Sequence, residues 1–286
     1  MTTFKITIAY DGTDFVGWQR QASGTSIQGL LEEALRALDE RDVTVTGAGR
    51  TDAGVHALGQ VAAFTLARAL PAEVVVRALN ARLPEAVRVL AADEVSPSFH
   101  PRFDARAKTY RYRIWNGDVL SPFERRYAWH LPGALNVDAM RQAARVLEGE
   151  RDFAAFQAAG SETQTTVREV IASRVATNIT TERTETNGKH GETKSFPVSS
   201  VDQDSFRALR GCAAGTLIVY EVTGSGFLRH MVRTIVGTLV EIGRGRQPVE
   251  WMTHVLESRD RAEAGPTAPA LGLFLVGVDY GQSACD

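Results

Sequence analysis

Apolar and polar positions along the chain switch between a period of two and a period near 3.6, and the switches outline its elements. Residues 4–10 alternate as a strand. "TSIQGLLEEALRAL" then sets Ile27, Leu30, Leu31, Ala34, Leu35 and Leu38 at helical spacing behind Thr25 or Ser26 as N-cap. A strand over Val43 to Thr46, a glycine-rich loop and a strand over Gln60 to Leu66 come next. Pro71 opens a second helix, Ala72 to Leu83, and "AVRVLAADEV" returns to strand. Strand, helix, strand, strand, helix, strand is the order of a split βαβ unit. The second half repeats it loosely. "KTYRYRIWN" reads as a strand, "NVDAMRQAARVLEG" as a helix capped by Asn136, and "VREVIASRVAT" and "GTLIVYEVTG" as strands; "FLRHMVRTIVGTLVEIG" is a helix and "GLFLVGVDY" a last strand.

The pattern predicts an α+β fold: two split βαβ (ferredoxin-like) halves, residues 1–104 and 105–286, joined into one mostly antiparallel sheet. Helices then cover one face, and the other is free to form a central cleft. Between two strands of the second half, the stretch near 177–205 is polar, rich in Thr and Ser and almost without aliphatics. Such a stretch cannot bury enough surface to order itself strongly, and it reads as a hairpin tip or a partly disordered insert.

At 286 residues with 44% hydrophobic content, the chain can bury a sizeable core. No apolar run approaches the roughly 20 residues that span a bilayer, and "MTTFKITIAYDG" enters strand pattern directly, without a signal-like segment. No membrane association and a cytoplasmic location are expected. Cys212 and Cys285 are the only cysteines, and neither they nor the six His stand at metal-ligand spacing, so no metal is expected.

The net charge of −2 argues against a nucleic-acid partner until its distribution is considered. Between His100 and Arg126 stand Arg102, Arg106, Lys108, Arg111, Arg113, Arg125 and Arg126, against Asp104, Asp118 and Glu124. Phe99, Phe103, Tyr110, Tyr112, Trp115 and Phe123 flank and interleave them. A second cluster holds Arg229, Arg233, Arg244 and Arg246 against Glu241. Cations alternating with rings suit a phosphate backbone and stackable bases; a solvated strand with its rings turned to the core fits the same pattern.

"TGAGRTDAGVHALGQVAAF", residues 46 to 64, sets Gly47, Gly49 and Gly54 around Arg50, Thr51, Asp52 and His56. Glycines so close weaken a helix and permit positive φ, which predicts a tight exposed turn that presents those four side chains. The loop fits neither the dinucleotide fingerprint nor the phosphate loop, which would need Lys-Ser/Thr after Gly54. Asp52 is then either an Asx-turn residue bonding its own backbone or a catalytic acid.

Five separated stretches, taken in order, resemble the tRNA pseudouridine synthases of the TruA family. They are "YDGTDFVGWQRQ" (10–21), "GRTDAGVHALGQVAAF" (49–64), "FHPRFDARAKTYRYRIWN" (99–116), "DFAAFQAAG" (152–160) with "TVREV", and "GFLRHMVRTIVGTLVEIGRG" (226–245) with "GLFLVGVDY". The chain departs from the family in its 177–205 insert and in Pro101, where Ala is usual. The resemblance implies an isomerase that turns uridine into pseudouridine on the 3′ side of the anticodon stem-loop of tRNA, positions 38 to 40. It implies no cofactor and a homodimer in which one tRNA touches both subunits. Asp52 matches the nucleophile, and Arg233 the cation that opposes its charge. Tyr110 matches the ring that stacks on the uracil and the general base of the last step, and Leu273 the aliphatic residue on the other face of the base. Arg50 matches the side chain that enters the space left by the flipped nucleotide, while Arg102 and Arg111 belong to the basic wall that binds the substrate. Two rival readings accompany it. One is a non-catalytic RNA-binding module, although the aromatic signature of such modules is absent from both halves. The other is a metal-dependent phosphoesterase using Asp52, His56 and His100.

Overall fold

Alternation along β1 (Thr2–Tyr10) turns Phe4, Ile6, Ile8 and Tyr10 into the core, and β5 (Ala107–Gly117) does the same with Tyr110, Tyr112 and Ile114. The fold is that of a computed structural model, which describes residues 1–158, 160, 163–177 and 215–281. Cys212, Cys285 and nearly all of the polar stretch expected near 177–205 lie outside the described residues.

Among the described residues ten strands form one sheet, eight of them in the order β4-β1-β3-β10-β5-β9-β8-β7. In the first half, β4 (Val87–Val95) and β3 (His56–Leu66) flank β1 antiparallel, and the two-residue β2 (Thr46–Gly47) pairs with the far end of β3. In the second, β10 (Leu273–Asp279) and β9 (Gly215–Gly224) flank β5, and β8 (Val167–Thr177) lies beyond β9. Fourth, first, third, second is thus the spatial order in both halves, as split βαβ units require. They meet where β10 lies parallel to β3, Phe274 beside His56 and Leu275 beside Ala57.

Three helices start where the sequence signals them. Ser26 caps α1 (Ile27–Asp39) by accepting from Gly29 N, Pro71 precedes α2 (Ala72–Asn80), and Asn136 caps α3 (Val137–Arg145) by accepting from Ala139 N. The helix expected over 227–243 begins only at Met231, giving α4 (Met231–Gly243), because residues 225–230 form a loop that ends at His230 with φ +64. β2 is shorter than the expected Val43 to Thr46, while β3 begins four residues before Gln60. Pattern reading missed β6 (Trp129–Leu131), β7 (Gly149–Asp152) and α5 (Trp251–Ser258), all too short to establish a period.

Candidate active site

The glycine loop joins β2 to β3 and turns tightly at Asp52, whose carbonyl accepts from Val55 N at 3.1 Å. Gly54 takes the third position of this turn with φ +76, a value that costs glycine little. Gly47 and Gly49 do not adopt positive φ; Gly47 instead lies so close to the Trp18 ring that an added Cβ would sit 2.5 Å from it. Both halves back the loop with hydrogen bonds. Trp18 N donates to Thr51 O at 3.0 Å, and Gln60 Nε2 to Gly49 O at 2.9 Å. Lys108 Nζ donates to Ala48 O at 2.7 Å, and the Thr51 and Tyr10 hydroxyls bond at 2.8 Å.

Two of the four side chains expected to be presented are therefore buried. Thr51 is held by the Tyr10 hydroxyl, and His56 is the first residue of β3, inside the seam. The His56 ring stacks on Phe274 with centroids 4.6 Å apart. Its Nδ1 accepts from Gly12 N, and its Nε2 lies 3.1 Å from the carbonyls of Arg126 and Leu271. Burial holds His56 below the ordinary imidazole range despite Asp11 beside it. This histidine joins the halves through its neutral form. Arg50 is exposed and has no polar partner among the described residues.

Asp52 makes no bond to its own backbone. Its Oδ2 accepts from Arg233 Nη1 at 3.1 Å and lies 3.4 Å from His230 Nε2, while Oδ1 bonds nothing among the described residues. Arg233, on the first turn of α4, is fixed in turn: its Nε donates to Ala268 O at 2.7 Å, and Ala268 N donates to its carbonyl at 3.1 Å. Both members of the pair are partly shielded, the Asp52 side chain 31% exposed and the Arg233 side chain 16%. An ionised carboxylate in such a place needs a fixed cation beside it.

Tyr110 closes the site on the β5 side. Its ring meets Phe227 edge-on at 5.0 Å between centroids. Burial holds its phenol well above the ordinary range, and Tyr10 and Asp52 push it further, so the hydroxyl carries its proton at neutral pH. Tyr112, two residues on, is core: its hydroxyl donates to Pro269 O at 2.7 Å. Leu273 pairs with Tyr112 at the start of β10 and is buried against the same cluster.

The cations expected to bind substrate differ in their partners. Arg111 gives Nε and Nη2 to Glu221 Oε2, and Arg113 is paired with Glu124. Arg102 is exposed, 5.8 Å from the Phe103 ring, with no acidic partner among the described residues. It stands near enough to Lys108 and Arg168 to disfavour their charged forms, adding to burial in both, and Lys108 is pushed down to about 8. Sequence reasoning passed over Arg168, Phe227 and His230. Only His230 had a visible signal, its place three residues before Arg233 and so on the same face of a helix.

Among the described residues no group of three or more His, Cys, Asp or Glu is placed to hold a metal ion, and no helix is long and apolar enough to cross a membrane. His100, the third member of the metal reading, sits in an exposed loop where its Nδ1 accepts from the Arg102 and Phe103 amides.

Comparison with known proteins gives one answer. The family model described as tRNA pseudouridine synthase matches residues 6–104 and 143–281. A tRNA pseudouridine synthase A of Pelobacter propionicus is 42% identical over 98% of this chain and 100% of its own length. The protein of that name from Geobacter sulfurreducens is 42% identical with the same coverage. The one from Myxococcus xanthus is 43% identical over 98% of this chain and 92% of its own.

Proposed function

The chain belongs to the tRNA pseudouridine synthase family, and from that premise we propose that it isomerises uridine to pseudouridine on the 3′ side of the anticodon stem-loop of tRNA, with Asp52 as nucleophile. The reaction breaks the bond from ribose C1′ to N1, turns the uracil, joins C1′ to C5, removes the C5 proton and protonates N1. Atoms and charge balance without redox chemistry or a cofactor. The chemistry calls for a group that bonds carbon reversibly and leaves again, which suits a carboxylate.

The observation that carries this reading is the asymmetry of Asp52: one carboxylate oxygen is engaged by Arg233, and the other makes no bond among the described residues. An acid kept for turn geometry would spend its oxygens on backbone amides, as Asp11 does with Thr13 N at 3.0 Å. In the proposed site Tyr110 stacks on one face of the flipped uracil and Leu273 packs on the other. Arg50 fills the vacated space in the stem, which offsets part of a flipping cost of a few kcal/mol. Arg102, Lys108 and Arg168, three cations without an acid between them, receive the phosphate backbone, and Arg111 joins them with part of its charge met by Glu221. We further propose a cytoplasmic homodimer, in which two such walls concentrate positive potential despite a net charge of −2.

Tritium release from [5-³H]uridine tRNA, with EDTA present and no cofactor added, tests the reading. Wild-type protein releases tritium, and Asp52→Asn releases none while still binding tRNA. Turnover by the Asn variant above background would return Asp52 to a structural role.

A further inference from the structure

His230 has a backbone shape that its neighbours do not share. It precedes α4 at φ +64, ψ −3, in the left-handed region, one of three described non-glycine residues with positive φ. The other two, Glu40 and Arg259, each follow the end of a helix, where that conformation is common. His230 instead begins a helix, where a side-chain cap would help, and it makes no capping bond. Its carbonyl accepts the first helical bond, from Thr234 N at 2.9 Å, but a strained residue whose side chain does nothing for its helix calls for another reason.

The reason lies in where the ring points. Nε2 stands 3.4 Å from Asp52 Oδ2, the same oxygen that Arg233 holds. Burial and the positive charges of Arg233, Arg229 and Arg261 keep the imidazole below its ordinary range against the pull of Asp52, so it is neutral at physiological pH. A neutral ring can offer one N–H without cancelling the charge of the carboxylate. Contacts of this length commonly tighten once substrate is seated.

We propose that His230 is a positioning residue for the reaction: its Nε2–H joins Arg233 on Oδ2 of Asp52, so that both fixed donors load one oxygen and Oδ1 alone is turned to the ribose carbon. The left-handed backbone at the start of α4 is what aims the ring. The inference rests on Asp52 being the nucleophile, and its test separates the two.

His230→Gln and His230→Met are matched: both are unbranched, of similar length, and bear the same left-handed backbone cost, but only Gln can present an N–H near the Nε2 position. In single turnovers with enzyme in excess, His230→Met is expected to lose about ten- to a hundredfold in rate, the usual worth of a hydrogen bond to a charged group. Its tRNA affinity and melting temperature should match those of His230→Gln, which recovers most of the wild-type rate. Equal rates for the two variants, whether both near wild type or both low, would overturn the proposal. Should neither variant fold, His230→Gly relieves the backbone and removes the ring. It is expected to be as slow as Met in a stable protein, and wild-type rate there would overturn the proposal as well. Asp52→Asn in the same assay reports on the premise: if it is inactive while Met equals wild type, only the role of His230 fails.

Discussion

The two halves of the sheet have one strand order, yet they contribute to the site in opposite ways. The first half supplies a loop: Asp52 and Arg50 stand on a glycine turn between its second and third strands. The second supplies regular elements: Tyr110 from the middle of β5 and Arg233 from the first turn of α4, with Phe227 just before that helix. The equivalent helices carry the contrast further. α2 buries Val75 and Leu79 and leaves one side in water, whereas α4 is buried nearly all round and its first-turn exception is Arg233. A loop carboxylate needs a fixed partner to hold its orientation, and the partner of Asp52 comes from the other repeat, 181 residues away. Neither half holds a site alone; the parallel junction of β3 with β10 creates it.

The hydroxyl of Tyr110 offers the strongest way to test the second half's share. Tyr110→Phe keeps the ring proposed to stack on the uracil, a contact worth roughly 1–3 kcal/mol per base, and deletes the oxygen proposed to take the C5 proton. Binding and glycosidic exchange should persist while tritium release falls about 10²- to 10⁴-fold, the usual range for a general base. Single-turnover digests should then contain a C5-linked intermediate that still carries tritium. Because the phenol is protonated at neutral pH, acting as the proposed base would require it to hand its own proton on as it accepts another. Near-normal release by the Phe variant would assign the base elsewhere.

Arg233→Lys comes next in size. A lysine keeps the charge but cannot hold Asp52 Oδ2 and Ala268 O at once with a planar fork. The single-turnover rate should fall about ten- to a hundredfold with tRNA affinity within twofold, measured by filter binding. If affinity falls and rate does not, Arg233 belongs to the RNA wall and not to the acid.

Smaller effects distinguish glycines that the loop needs from glycines that merely turn the chain. At Gly17, φ +106, a Cβ would come within 2.6 Å of Thr51 O, beside Asp52. At Gly149, φ +93, in the second half, a Cβ would meet nothing within 4 Å. Gly149→Ala should cost about 1 kcal/mol in denaturant titration and leave turnover alone. Gly17→Ala should cost about 1–3 kcal/mol and slow turnover as well, because the acid loop must shift. Equal losses of activity would show that the loop's placement is tolerant.

Much of this was legible in advance, for a physical reason. The strands are half-buried and the helices long enough to show a period, so the split βαβ order, the Ser26 and Asn136 caps and the bounds of β8 and β9 read directly from the sequence. What failed to show was whatever depends on contacts far apart in sequence. His56 looked presented because glycines surround it, but Phe274, Leu271 and Gly12 enclose it. His230 looked like one more residue of a helix, since nothing in "FLRHMVR" marks a left-handed backbone at its fourth position. Among the cations, the pattern marks positions and not partners.

That last gap leads to the smallest expected effect. Arg102 and Arg111 look alike in the pattern, each expected to touch substrate, but Arg111 gives two hydrogen bonds to Glu221 and Arg102 is exposed with no acid partner among the described residues. Counterion release counts only charge that phosphate newly neutralises, so a cation already matched by a carboxylate contributes little to it. Arg102→Gln should lower the slope of log affinity against log salt by about 0.7–0.9 for every tRNA alike, and Arg111→Gln by much less. Glu221→Gln frees Arg111 in place and should steepen the slope in the otherwise wild-type protein if Arg111 can reach the RNA. If instead Arg111→Gln lowers the slope as far as Arg102→Gln does, the pair with Glu221 opens when tRNA binds, and Arg111 meets phosphate with its whole charge.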